Sequence, residues 1–451
     1  MNKNTLFILY VISIIASINW LSYLESAWFK EYYTVSVDYL RSEIYSLEHF
    51  YITLVIILVA CIFLRHRVIG LFIATLPIMN VPVPSSGIGV LYQGGVTLFF
   101  LVIIIKIIRW KILLQLRISP ALVLMIYLII HSGLTLIIRY DSSNSLHILI
   151  LARLAMILIC IFCIILISEE NLSRVMNSRD IEIGLLYQMV TLVIFFIMMI
   201  ILFFTGDGFI PTPYALNSTF SIDRLTLGFN HPNELALFLV GIFPYLYVRT
   251  KLYSKFLGLF FWVLFFLCSI LTLSRALIVA LIIVSIIFLI SKKLSLLLVM
   301  GYVGIIFSSF LIFVNLRTED FYSIESRGED YESAIQTFIL SPLKILFGNG
   351  FGISGYGFPQ PHNLILDMIY SIGLLGFALY LLFLVDLLRR LAKGRSAGFY
   401  SVIGVLAYGL FHSLWMTWLF YYFLAFALIN LYCNKLYCNK KSSNIINNAL
   451  T

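Results

Sequence analysis

Long apolar stretches separated by short polar breaks recur along nearly the whole chain. They fall at roughly 5–22, 50–64, 68–81, 92–108, 119–138, 147–167, 182–204, 233–248, 256–273, 276–290, 294–314, 362–388, 397–412 and 414–432, about fourteen in all. Most are long enough, as helix, to cross a bilayer core of about 30 Å. The strict alternation of a membrane β-strand is missing. The pattern predicts an all-α polytopic integral membrane protein, with residues 1–451 forming a single transmembrane domain. The stretch at 68–81 is short and runs into the Pro-rich MNVPVPSSG. The first stretch follows Lys3, has no clearly placed small-residue cleavage site behind it, and reads as a retained span.

Composition sharpens this picture. The chain of 451 residues is 61% hydrophobic and 11% charged, against about 45–50% and about 25% in soluble domains. A soluble enzyme, a disordered chain and a disulfide scaffold are excluded. Of the six cysteines, Cys61, Cys160, Cys163, Cys268, Cys433 and Cys438, none falls in a long polar loop. The CxxC spacing of Cys160 and Cys163 lies inside an apolar stretch, where both read as small hydrophobes.

Charge sets the orientation. With a cytoplasmic N-terminus, the segments on that side hold twenty-one of the thirty Lys and Arg, and the outer side holds eight. Arg153 falls within a span, where a charge is costly and a functional candidate by default. The asymmetry predicts both termini in the cytoplasm. The net charge of +9 is then this bias plus contact with anionic lipid, and needs no nucleic acid. The cytoplasmic segments are short and there is no Walker A motif. Chemistry is therefore expected at the outer face or within the membrane.

Two outer loops stand out, 205–232 and the larger 315–361. The second starts with a charged, helix-compatible piece and ends in FGNGFGISGYGFPQPHN, which predicts a packed cap with a short helix. The segment 23–49 has aromatic and apolar residues at helical spacing, as in an interfacial helix. The tail repeats LYCNK in tandem.

Arginines on the outer face are the first candidates for chemistry. Arg224, Arg275 and Arg327 come from separate loops, and guanidinium groups so placed bind phosphate bidentately. Arg224 has Asp223 beside it, and Arg327 has Glu325 and Glu329 close by, so pairing is an equal reading for those two. Arg275 has no acidic neighbour in sequence. The second candidates are His231 and His362, each at the outer start of a span beside a proline. A helix N-terminus favours anions, and a neutral imidazole there accepts a proton near pH 7. Capping is the competing reading. His131 and His412 also lie near outer span ends, without a motif, and read as packing. No HExxH or paired-carboxylate spacing occurs, which points to chemistry without a metal or other cofactor.

Three segments carry a resemblance. RLTLGFNHPNELA resembles the R-x-x-L-G-F-x-H-P-N segment of bacterial O-antigen polymerases of the Wzy type. LTLSRALIVALII resembles the T-x-S-R helix start of the O-antigen polymerase and ligase superfamily. SRGEDYESAIQTFILSPLKILFGNGFG and the following PHNLILDMIYSIGLLG resemble that superfamily's arginine, its S-P-x-x-x-x-F-G-x-G loop and its H-N-x-x-L helix with G-x-x-G. The matches cover residues 221–377 in the family's order.

The resemblance implies a glycosyltransferase of GT-C-like architecture in the bacterial inner membrane, with its active site facing the periplasm. The substrates would be oligosaccharides on undecaprenyl pyrophosphate. The growing chain would leave its carrier for a new repeat unit. Arg275 and Arg327 would hold the pyrophosphate, and His362 would act as base. Arg224, His231, Asn233, Asn363 and Tyr356 would bind substrate, and Gly348, Gly350 and Gly352 would let the loop approach it. A chain-length-determining co-polymerase and a flippase are the implied partners. Two other readings stay open: a ligase that transfers the polymer to lipid A–core, and a lipid-oligosaccharide flippase. A flippase would carry ionisable groups down a central cavity, whereas here the polar mass lies in outer loops.

Overall fold

The computed structural model describes residues 119–138, 144–168, 232–250, 255–272, 274–292, 304, 321–351, 361–393, 396–417 and 419–431. The expected spans at 5–22, 50–64, 68–81, 92–108, 182–204 and 294–314 lie outside these residues, as does the segment 23–49. The chain divides into two compact units, 1–102 with 179–235, and 103–178 with 236–451. Nearly all described residues belong to the second.

The described residues are helical, with no strand among them. The elements are α1 (Pro120–Ile138), α2 (Asn144–Ser168), α3 (Pro232–Thr250), α4 (Lys255–Leu271), α5 (Arg275–Lys292), α6 (Phe321–Leu340), α7 (Pro342–Phe347), α8 (Leu364–Ala392) and α9 (Ala397–Gly409). A further helix, α10, covers Leu419–Leu431. Eight of the expected spans coincide with helices to within a few residues; α10 starts later than expected because residues 410–417 form a turn. Two of the described helices, α1 and α8, are long and apolar enough to cross a membrane.

Helix starts follow local chemistry. α1, α3 and α7 place Pro at their first position, where its missing N–H has no partner to lose. The Ser119 hydroxyl accepts from the Leu122 amide at 3.3 Å, and the Ser274 hydroxyl accepts from the Leu277 amide at 3.4 Å. Small residues on α9 seat its neighbours. Gly398 abuts Ala427 of α10, and Gly404 abuts Val284 of α5 and Val240 of α3. Between them the Ser401 hydroxyl donates to the Gly241 carbonyl at 2.6 Å.

The packed helices bury polar as well as apolar side chains and expose large apolar ones. The buried face of α1 carries His131, Ser132 and Thr135, while Ile126, Ile129, Ile130 and Leu134 are exposed. On α8, Asp367 and Ser371 are buried, whereas Leu374, Leu375, Leu381 and Leu382 are exposed. Exposed apolar faces of this extent mark a surface that is normally covered.

One break in α8 organises the fold. Gly373 has φ 72° and ψ 176°, outside the helical region. Backbone carbonyls freed at such a kink need new partners when buried. The Tyr370 carbonyl accepts from the Asn349 amide at 2.7 Å, and that of Ser371 from the Gly350 amide at 3.1 Å. The Ile372 carbonyl accepts from the Tyr127 hydroxyl of α1 at 2.6 Å. The F-G-N-G turn at 347–350 thus fills the gap in α8. A Cβ on Gly348 would strike the Ser371 carbonyl, and one on Gly373 would strike the backbone of Leu346 and Phe347. Gly348 and Gly350 have φ 76° and 131°, values that favour glycine. The close approach expected of Gly348 and Gly350 is therefore to the chain's own α8 backbone.

Candidate functional site

The turn at 410–417 gathers elements that are far apart in sequence. From α9, the Tyr408 hydroxyl lies 3.5 Å from the Ser274 hydroxyl, beside Arg275 at the start of α5. The Tyr408 ring stacks on His412, with centroids 4.8 Å apart. The Asn363 side chain donates to the Leu410 carbonyl at 2.7 Å, and the Ser413 hydroxyl donates to the Pro361 carbonyl. His362 sits between these two anchors, half-buried, just before α8. Arg275, exposed, thus follows a residue that meets the last turn of α9, and His362 lies between two residues bonded to the turn after it.

Below the turn lies a buried carboxylate. Asp367, in the first turn of α8, is 2% exposed. Its Oδ2 accepts from the Trp415 indole N–H at 2.8 Å. Trp415 is packed edge-on against Phe351 and Tyr380, with centroids 5.6 and 6.3 Å away. The Tyr380 hydroxyl donates to that of Tyr421 at 3.1 Å. From α2, the half-buried Arg153 guanidinium approaches the Met416 sulfur at 3.9 Å. The same turn therefore collects groups from α2, α8, α9 and the segment after α7.

Replacing Trp415 by Phe keeps most of the packing but removes the donor from a buried carboxylate. We expect a loss of about 1–3 kcal/mol in stability, the range for leaving a buried hydrogen-bonding group without one partner. Urea unfolding of the purified protein in mild detergent checks this, and Tyr380→Phe should cost about 1 kcal/mol or less beside it.

The expected site residues fare differently. Arg275 follows the Ser274 that meets Tyr408 at the end of α9, and His362 stands between the two residues tied to Leu410 and Ser413. Asn363 caps α8: its Oδ1 accepts from the amides of Ile365 and Leu366 at 2.9 and 3.1 Å. With its amide nitrogen on Leu410, Asn363 fixes the turn to the helix start. Arg327 lies in the first half of α6, and its side chain is outside the described residues. Asn233 is the second residue of α3. Arg224, His231 and Tyr356 lie outside the described residues. Cys160 and Cys163 are buried and unbridged. Among the described residues no group of three or more His, Cys, Asp or Glu could hold a metal.

The sequence did not single out Asp367 or Trp415, and His412, read as packing, stacks on Tyr408. A signal was present for Asp367: a lone carboxylate inside an apolar run deserves the same attention as Arg153. The run FHSLWMTW interrupts two apolar stretches with Ser, His and Thr, yet only tertiary contacts make it a hub. No known family model matches the chain, and no curated protein matches it.

Proposed function

We propose that this chain is a polytopic inner-membrane polymerase of surface polysaccharide. It would join oligosaccharide repeat units carried on undecaprenyl pyrophosphate, at the periplasmic face. The observation that supports the reading is that the residue before Arg275 and the residues flanking His362 all bond to the end of α9 and the turn that follows it. Arg275 and His362 come from separate segments, each resembling a different part of the polymerase and ligase superfamily. The exposed apolar faces of α1 and α8 and the Lys/Arg asymmetry support about fourteen spans with both termini in the cytoplasm.

The chemistry needs little from the protein. A pyrophosphate ester leaves readily once its charge is held. Arg275, at the first position of α5, presents a guanidinium at a helix start, whose dipole also favours an anion. It would stabilise the charge that develops on the departing lipid pyrophosphate, with Arg327 and Arg224 in support. His362 would accept the proton of the acceptor hydroxyl. That oxygen attacks the anomeric carbon of the growing chain, and the bond to phosphate breaks with its electron pair on the leaving group. One displacement gives inversion at that carbon. Asn363 and the turn would hold His362 in register, while His231, Asn233 and Tyr356 would contact sugar. No cofactor is needed in this scheme.

The ligase reading makes the same bonds with lipid A–core as acceptor. Deleting the gene and resolving lipopolysaccharide on a gel separates the two. A polymerase deletion should leave core bearing one repeat unit, because ligation still works. Bare core, with long polymer accumulating on its lipid carrier, would make the protein a ligase.

A further inference from the structure

We propose that α7 and the F-G-N-G turn form a re-entrant element. It dips into the outer leaflet, and its exposed apolar face touches the acyl chains of the bilayer. The inference rests on the membrane reading above and goes beyond it, since a loop between two spans is otherwise expected to lie above the membrane.

Two helices serve as rulers, at 1.5 Å per residue. The Phe347 carbonyl accepts from Nε2 of His131 at 2.5 Å, seven residues before the end of α1. That places it about 10 Å below the outer end of that helix. The Phe351 amide donates to the Thr135 hydroxyl at 3.4 Å, three residues from the same end, or about 5 Å down. On α8 the turn binds at Tyr370 and Ser371, six and seven residues after Leu364, or about 10 Å below the helix start. A loop capping the bundle would touch helix ends; this one is bound along their flanks. The outer leaflet contributes about 15 Å of hydrocarbon, and the turn falls inside it.

Irregular backbone survives at such depth only where protein satisfies its polar groups. Here it does. The amides of Gly348, Asn349, Gly350 and Phe351 donate in turn to Lys344, Tyr370 and Ser371 carbonyls and the Thr135 hydroxyl. Apart from Lys344, the exposed side chains of α7 are apolar. Leu340 is 84% exposed, Ile339 73% and Leu343 69%, with Leu346 and Phe347 about half exposed. This patch continues the exposed face of α1, where Ile130 flanks the His131 that binds Phe347. Along α6 the character changes in the same direction. Glu329 and Glu332 are exposed in its middle, and Ile335, Ile339 and Leu340 are exposed toward its end. That gradient fits a helix passing from water into lipid. Lys344, exposed on α7, has a stem long enough to carry its charge up to the headgroups.

Spin labels test this on the full chain in vesicles of phosphatidylethanolamine and phosphatidylglycerol. Single labels go on Leu343→Cys, Leu346→Cys, Glu332→Cys and Leu134→Cys. The native cysteines are replaced by alanine, or left in place with the parent signal subtracted where that chain fails to insert. Labels at 343 and 346 should meet oxygen several-fold more readily than a water-soluble nickel chelate, as at 134, and the label at 332 should show the reverse. If 343 and 346 behave like 332 while 134 stays in lipid, the re-entrant element is wrong and the membrane reading stands. If 134 also meets the nickel chelate preferentially, both are wrong.

Discussion

Alanine at Gly373 should destabilise the protein by about 3–5 kcal/mol, more than any other single methyl group added to the described helices. Two costs combine. The backbone of Gly373, at φ 72° and ψ 176°, occupies a region essentially reserved for glycine, worth about 1–3 kcal/mol. The added Cβ would also overlap the Leu346 carbonyl and the Phe347 amide, which are backbone atoms and cannot swing aside. If α8 straightened instead, the partners of Asn349, Gly350 and Tyr127 would return to the helix ladder and the turn would come loose. Gly348→Ala should behave alike, since its Cβ would meet the Ser371 carbonyl from the other side. Gly133→Ala is the control. Nothing lies within 4 Å of its would-be Cβ, and alanine within a helix gains about 0.5–1 kcal/mol over glycine. Denaturant midpoints of the three variants in one detergent check the order. Equal midpoints for Gly373→Ala and Gly133→Ala would mean that the kink is not a fixed feature.

The second large effect concerns chemistry. Arg275→Ala and His362→Ala should each lower polymer formation about 10²–10⁴-fold, the usual range for a charge-stabilising donor or a general base. Neither change should alter the amount of protein in the membrane. Arg275 is exposed, so its loss removes little packing. His362 lies outside α8, whose cap is the neighbouring Asn363. Arg275→Lys separates two roles. A lysine keeps the charge but not the bidentate fork, so an intermediate loss is expected if Arg275 grips pyrophosphate. Asn363→Ala should weaken activity and stability together, because it removes the cap and the tie to Leu410 at once.

Much of the helical layout was legible from the sequence because apolar run length alone sets it. The runs at 119–138 and 276–290 correspond to α1 and α5 within a few residues. The S-P-x-x-x-x-F-G-x-G and G-x-x-G patterns were legible as motifs but not as partners. That Gly348 and Gly373 face one another is a long-range contact, and composition carries no trace of it. The turn at 410–417 was obscured for a different reason. Its apolar residues extend the flanking runs, so hydropathy merges what the structure breaks. Asp367 was hidden by proximity to the more conspicuous His362. Arg275 and His362 were legible because each stands at a helix start, where polar residues interrupt an apolar pattern.

The most direct test is polymer formation by the purified protein in vesicles. The substrate is the lipid-linked repeat unit extracted from the deletion strain, supplied without other proteins and with EDTA present. The wild-type protein should give chains of two or more repeats with release of undecaprenyl pyrophosphate, and Arg275→Ala and His362→Ala should give none. Repeat units left unjoined by a folded wild-type protein, or joined equally well by both variants, would contradict the polymerase reading.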